Sequence, residues 1–191
     1  MVLAQQEIPV DVVQSAFDTA DGTTVPNAAP AWSLPDGPLC RTDVLVVNEI
    51  ELAMTAGLPG GEPVVDVDAI AAVCRSITGP GAVIVTRGRA GAVMVDDGRA
   101  TAIPAPEVDA IDTTGAGDCF CGVVAGALAE GDDLLEAARV AVRAAALAAS
   151  RLGARLKACR GGTRATRCVA VRCGADGLRP LRFSVSAPRR R

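Results

Sequence analysis

Apolar residues recur along the first 155 positions in two rhythms, short unbroken runs and longer stretches spaced by three and four. Val12, Val13, Ala16 and Phe17 mark a helix over 9–20, with Pro9 suited to its first turn. Asp21-Gly22 reads as a turn and 27–38, rich in proline and small residues, as a loop. The run Val44 to Val47 predicts a buried strand, followed by a helix over 48–56 that stops at Gly57. Ile70, Val73, Cys74 and Ile77 share one face of a helix over 68–77, with Asp68 as its cap. After the break at Gly79-Pro80-Gly81, strands are expected at 82–86 and 91–95, with Asp97-Gly98 turning into 100–103. A nearly all-apolar helix follows at 115–130. Asp133 and Glu136 have capping-box spacing at the start of another, which runs to Ser150 and closes at Gly153. A helix as alanine-rich as 137–149 should lie buried between other elements.

Strands alternating with helices, with one hairpin, predict an α/β fold with a mainly parallel sheet. Such sheets bind ligands at the carboxyl ends of their strands. Asn48, the segment 86–91 and the segment 112–118 each follow a strand in this reading.

Composition narrows the chemistry. The 191 residues are 50% hydrophobic, 21% charged and 2% aromatic, which excludes a disordered chain and a base-stacking single-strand binder. There is no histidine, so a Ser-His-Asp triad, a Cys-His dyad, His-ligated zinc and a His general base are all excluded. Seven cysteines without CxxC spacing suggest reduced thiols and a cytoplasmic setting. No apolar run has the length of a membrane span, and the first residues lack the features of a signal peptide.

Charge divides the chain. Residues 1–155 hold 9 of 19 basic and 21 of 22 acidic side chains, a balance of −12. Residues 156–191 hold ten basic side chains, nine of them arginine, and one acid, a balance of +9. Three cysteines also fall in this tail, which has no helical or strand period. The expected organisation is a folded unit over 1–155 and a basic Arg/Cys-rich tail over 156–191, either frame-shifted or disordered.

The sharpest segment is Asp112-Thr-Thr-Gly-Ala-Gly-Asp118, leading into an apolar helix. Gly115, Ala116 and Gly117 allow a tight turn that presents backbone N–H groups at a helix start, an anion site. A carboxylate beside such a site would repel a phosphate, so Asp118 makes sense as a base. It would take a proton from a hydroxyl that attacks a phosphoryl group. The competing explanation is a small-residue turn with a helix-capping Asp.

This segment resembles a signature of the PfkB, or ribokinase-like, family of carbohydrate kinases. Other segments agree in order: Asn48-Glu-Ile-Glu51 resembles the NxxE motif and Thr86-Arg-Gly88-Arg-Ala-Gly91 the TxGxxG nucleotide segment. Asn27-Ala-Ala-Pro-Ala31, Pro104-Ala-Pro-Glu-Val108 and Ser150-Arg-Leu-Gly-Ala154 also fit. The resemblance implies a ribokinase-like three-layer sandwich, here incomplete, with the N-terminal half and lid missing. It implies ATP-dependent phosphoryl transfer to a hydroxyl of a sugar or nucleoside, weak or absent in this chain alone. Asp118 would be the catalytic base and the backbone of Gly115, Ala116 and Gly117 the anion hole. Thr86, Gly88 and Gly91 would line the nucleotide. Asn48 and Glu51 would organise Mg2+ and phosphate, Glu51 through water. Asp112 and Thr114 resemble ligands of a monovalent cation (K+), and Glu7 lies at the position of a sugar-contacting acid.

The spacing from Glu7 to Asn27 is a few residues short, and Pro26 stands where a strand residue is expected, which suits an edge at best. Val142 stands where the family has Asn or His beside adenine. Two alternatives remain open: a nucleotide-binding remnant without kinase activity, and a nucleic-acid binder acting through the basic tail. The second is the weaker, because arginine runs in period-poor segments are more often incidental. No membrane partner is expected. A half sheet with unpaired edges makes a homo-oligomer an open expectation.

Overall fold

The computed structural model describes residues 1–30, 41–152, 171–172 and 179–180. Six strands form one sheet: β1 (Val2–Gln5), β2 (Thr24–Asn27), β3 (Val44–Asn48), β4 (Ala82–Thr86), β5 (Ala92–Asp96) and β6 (Arg99–Ile103). They lie side by side in chain order, with β1 to β4 parallel and β5 and β6 joined by antiparallel ladders. The helices are α1 (Val10–Asp18), α2 (Glu49–Thr55), α3 (Val67–Ser76), α4 (Ala116–Glu130) and α5 (Leu134–Ala149). Two-residue strands β7 (Val171–Arg172) and β8 (Arg179–Pro180) pair antiparallel.

Each face of the sheet carries its own core, which gives three layers. Val44, Val46, Ile84, Ala92, Met94 and Ile103 pack under Phe120, Val124, Ala138 and Val142 of α4 and α5. Leu45, Val47, Val83, Val85, Val93 and Val95 pack under Leu52 of α2 and Ile70, Ala71 and Cys74 of α3. Strands covered on both faces need consecutive apolar residues, and the four residues Val44 to Val47 are all buried. Each fully buried Val, Leu or Phe contributes about 1.5–3 kcal/mol. β6 lies at the rim with only Ile103 buried, and β1 at the other rim is half-exposed.

The sequence pattern anticipates the layers and every helix described here. Three details differ. First, β1 and β2 are real strands, and Asn27, the expected start of a loop, ends β2. Second, β2 is interior, so Pro26 is not confined to an edge. Thr24 accepts from Asp43 N–H, and Ala28 N–H donates to Val46. Residues of that parity face β3, so the Pro26 ring nitrogen does too, and the β2–β3 ladder is registered only at Asn27↔Val46. Third, α3 is capped by Asp66, whose side chain accepts from Ala69 N–H at 2.9 Å, and Asp68 sits in the first turn. The tail beyond Arg155, residues 31–38 of the expected loop and the close at Gly153 lie outside the described residues, apart from β7 and β8.

Candidate active site

The carboxyl ends of β1 to β4 face one edge and bring Gln5, Asn27, Asn48 and Thr86 into a row. The end of β6 and the segment 104–112 return to the same edge before α4 begins. The expected site residues lie on this edge.

α4 starts as the glycines predict. Gly115 is its N-cap in the left-handed region at φ 76°, and Asp118 is in the first turn. That conformation costs an L side chain about 1–2 kcal/mol, which selects glycine. Asp118 is exposed, and its Oδ1 accepts a hydrogen bond from Gln5 Nε2 at 2.7 Å. One expected backbone donor needs correction. Ala116 N–H donates to Thr113 O at 3.1 Å, closing the turn that enters the helix. By position, the first-turn N–H of Gly117, already expected as a donor, has no intrahelical partner, and that of Asp118 joins it in place of Ala116.

At the end of β3, Asn48 caps α2. Its Oδ1 accepts from Ile50 N–H at 2.9 Å and Glu51 N–H at 2.8 Å, and Glu51 Oε2 accepts from Asn48 N–H at 2.7 Å. This is a complete capping box, so the three-residue spacing has a structural role here. Burial raises the Glu51 carboxyl above its ordinary value, and the bond from Asn48 opposes the shift. Asp133 also caps its helix, but Glu136 pairs with Arg139. Burial, followed by the charges of Asp118 and Glu51, pushes the Cys121 thiol up to about 12. Cys121 belongs to α4 and is buried in the core that the helix covers.

Thr86, Gly88, Gly91, Ala116 and Gly117 come together as part of the wall of a cavity of about 910 Å³. Thr86 Oγ donates to Val47 O at 3.3 Å, fixing the end of β4. Gly91 has φ 90°, and a Cβ there would stand 2.0 Å from Ile103 O and 2.6 Å from Ala105 N, so only glycine permits the crossing of β6 over the turn. The far wall is Ala105 to Ala110 with Val142, Ala145, Ala146 and Ala149. The alanine-rich helix expected to lie buried between other elements has Ala145 and Ala146 half-exposed, because that face of α5 lines the cavity.

Asp112 and Thr114 lie beside the wall, not in it. Asp112 Oδ1 accepts from Thr114 N–H at 2.9 Å, and the N–H groups of Ile111 and Asp112 donate to Ala149 O. Glu7 is exposed, two residues beyond Gln5. Gln5 escaped the sequence reading because the Val2-Leu3-Ala4 run before it is too short to signal a strand.

Asn48 Oδ1 is already taken by two backbone N–H groups, so the oxygen donor here that suits a hard cation is the Glu51 carboxylate. Among the described residues no group of three or more His, Cys, Asp or Glu could hold a metal ion. A divalent ion on this edge would complete its shell with water and phosphate oxygens, as magnesium commonly does. The glycine cradle and the helix start fit a nucleotide triphosphate.

Residues 2–159 match the family described as pfkB family carbohydrate kinase. The ribokinase of Staphylococcus aureus is 34% identical over 158 residues, covering 80% of this chain and 51% of that protein. The crystal structure of ribokinase from Thermotoga maritima matches with TM-score 0.70 and 32% identity, over 80% of this chain and 50% of that one. The Arabidopsis thaliana ribokinase complexed with ribose and ATP matches with TM-score 0.68 and 28% identity, over the same shares. The chain spans about half the length of the curated relatives it matches.

Proposed function

The chain belongs to the PfkB family of carbohydrate kinases, and from that premise we propose that it takes part in phosphoryl transfer from ATP to a sugar hydroxyl, ribose being the first candidate. One observation carries the reading. The turn at Gly115–Gly117 has the exposed Asp118 carboxylate beside it and, on its other side, the cavity walled by Thr86, Gly88 and Gly91. A nucleotide in that cavity would bring its terminal phosphate to the start of α4.

In this reading Asp118 takes the proton of the sugar hydroxyl. The hydroxyl oxygen bonds to the terminal phosphorus, and the bond from that phosphorus to the bridging oxygen breaks. ADP leaves with the bond's electrons. The backbone donors of the α4 start hold the developing charge. Glu51, placed by the Asn48 cap, would hold magnesium through water, with Asn48 organising the phosphate side, and the ion when bound would neutralise phosphate charge. Asp112 and Thr114 would face a monovalent cation, and Glu7 would contact the sugar. Such a reaction suits the cytoplasm. The chain spans about half the length of its ribokinase relatives, so turnover by these 191 residues alone is expected to be slow.

The test is ADP release with ribose, with and without magnesium. Asp118→Asn keeps the shape but cannot take the proton, so sugar-dependent release should fall about 10²–10⁴-fold while nucleotide binding persists. Unchanged release would remove Asp118 from the role of base. Nucleotide binding without any transfer would favour the binding-only alternative.

A further inference from the structure

The hydrogen bond to Asp118 crosses 113 positions of sequence and joins two elements that meet only through the fold. Gln5 is the last residue of β1, held in register with Asn27 of β2, and α4 packs against β1. We propose that Gln5 is the positioning residue of Asp118: its Nε2 fixes Oδ1 and leaves Oδ2 for the hydroxyl proton. The inference rests on the reading of Asp118 as base.

The chemistry of the pair supports it. An ionised carboxylate only accepts hydrogen bonds, so the amide must present its NH2, which settles the orientation of the Gln5 side chain. A neutral donor holds the carboxylate without cancelling its charge, whereas a lysine would pair with it as an ion. Stability does not require the contact. The pair is at the surface, where a hydrogen bond is worth about 0.5–1.5 kcal/mol, and a carboxylate in a first helical turn is already favoured by the dipole. What the contact limits is the swing of an exposed side chain whose placement a proton transfer depends on.

The experiment uses the 191-residue chain. First, the Gln5 side-chain amide resonances are followed by NMR through an acid titration. They should move, and the movement should vanish in Asp118→Ala. Amide resonances that ignore the titration would overturn the proposal. Second, sugar-dependent ADP release is compared for Gln5→Ala and for the near-isosteric Gln5→Glu, which removes the donor. We expect kcat to fall about 10–100-fold in both, with KM for nucleotide and ribose within about 3-fold. In the Asp118→Asn background Gln5→Ala should cost nothing more, since both changes act on one group. An unchanged kcat, or a full additional loss in that background, would overturn the proposal. If Asp118→Asn keeps its rate, or no ribose-dependent release is seen, the proposed function fails, and the amide titration still decides whether Gln5 holds Asp118.

Discussion

Glu51 shows how one side chain can serve two ends. Its carboxylate closes the α2 capping box and also lies near enough to influence Cys121 of α4. Burial raises its folded-state value, so the folded protein holds the Glu51 proton more tightly than the unfolded chain does. The resulting stabilisation is complete below the ordinary value of 4.5 and is lost as pH rises through the folded-state value. Glu51→Gln keeps an oxygen for Asn48 N–H but never carries charge. At pH 7 its melting temperature should equal or exceed that of the unchanged chain, and its stability should vary less between acid and neutral pH. A lower melting temperature at pH 7 with an unaltered pH profile would show that burial of the charge is not what shifts Glu51. Residue types in short spacings were legible here: Asn48 to Glu51 and Asp112 to Asp118 are where the sequence placed them. Which partner each side chain takes was less so. Asp66 displaces Asp68 as a cap, and Gln5 finds Asp118, because both outcomes depend on backbone angles and on contacts distant in sequence.

Among the elements, the turn between β4 and β5 is the most tightly determined. Arg87 N–H donates to Gly91 O at 2.8 Å and Gly91 N–H to Gly88 O at 3.1 Å, while the β6 end crosses directly over Gly91. Gly91→Ala should therefore cost about 2–6 kcal/mol, from strain of about 1–3 at positive φ and overpacking of about 1–3. Gly88 also has positive φ, but a Cβ there meets nothing within 4 Å, so Gly88→Ala should cost only about 1–2 kcal/mol. Urea unfolding of the two variants measures the difference, and equal losses would show that the crossing gives way. The long helices and the central strands were legible because their apolar periods run over many residues. β1 and β2 were not, because four residues carry too little period and Pro26 argues against a strand. β2 persists because β1 satisfies one side while the proline faces the thinned ladder on the other.

For the whole molecule, the two sides of the α4 start are built differently. One side opens on a cavity lined by the end of β4, the turn after it, the segment 105–110, the α4 start and α5. The opposite side holds Gln5, Glu7 and Asp118, all partly or fully exposed at the β1 rim. Met1, Leu3, Ile8, Val10 and Val12 around that rim are also exposed, so little there encloses a sugar. A ligand that binds only the folded state stabilises it by mass action, about 2.7 kcal/mol at 100 times its dissociation constant. Mg·ATP should accordingly raise the melting temperature of the 191-residue chain in a concentration-dependent way, whereas ribose alone should leave it nearly unchanged. The ATP effect should survive Asp118→Asn and Gln5→Ala, which lie outside the cavity wall, and should shrink in Gly91→Ala, which distorts it. Thermal melts over a range of ATP and ribose concentrations decide the matter. Stabilisation by ribose without nucleotide would mean that the β1 rim already encloses the sugar, and no response to millimolar Mg·ATP would detach the cavity from nucleotide binding.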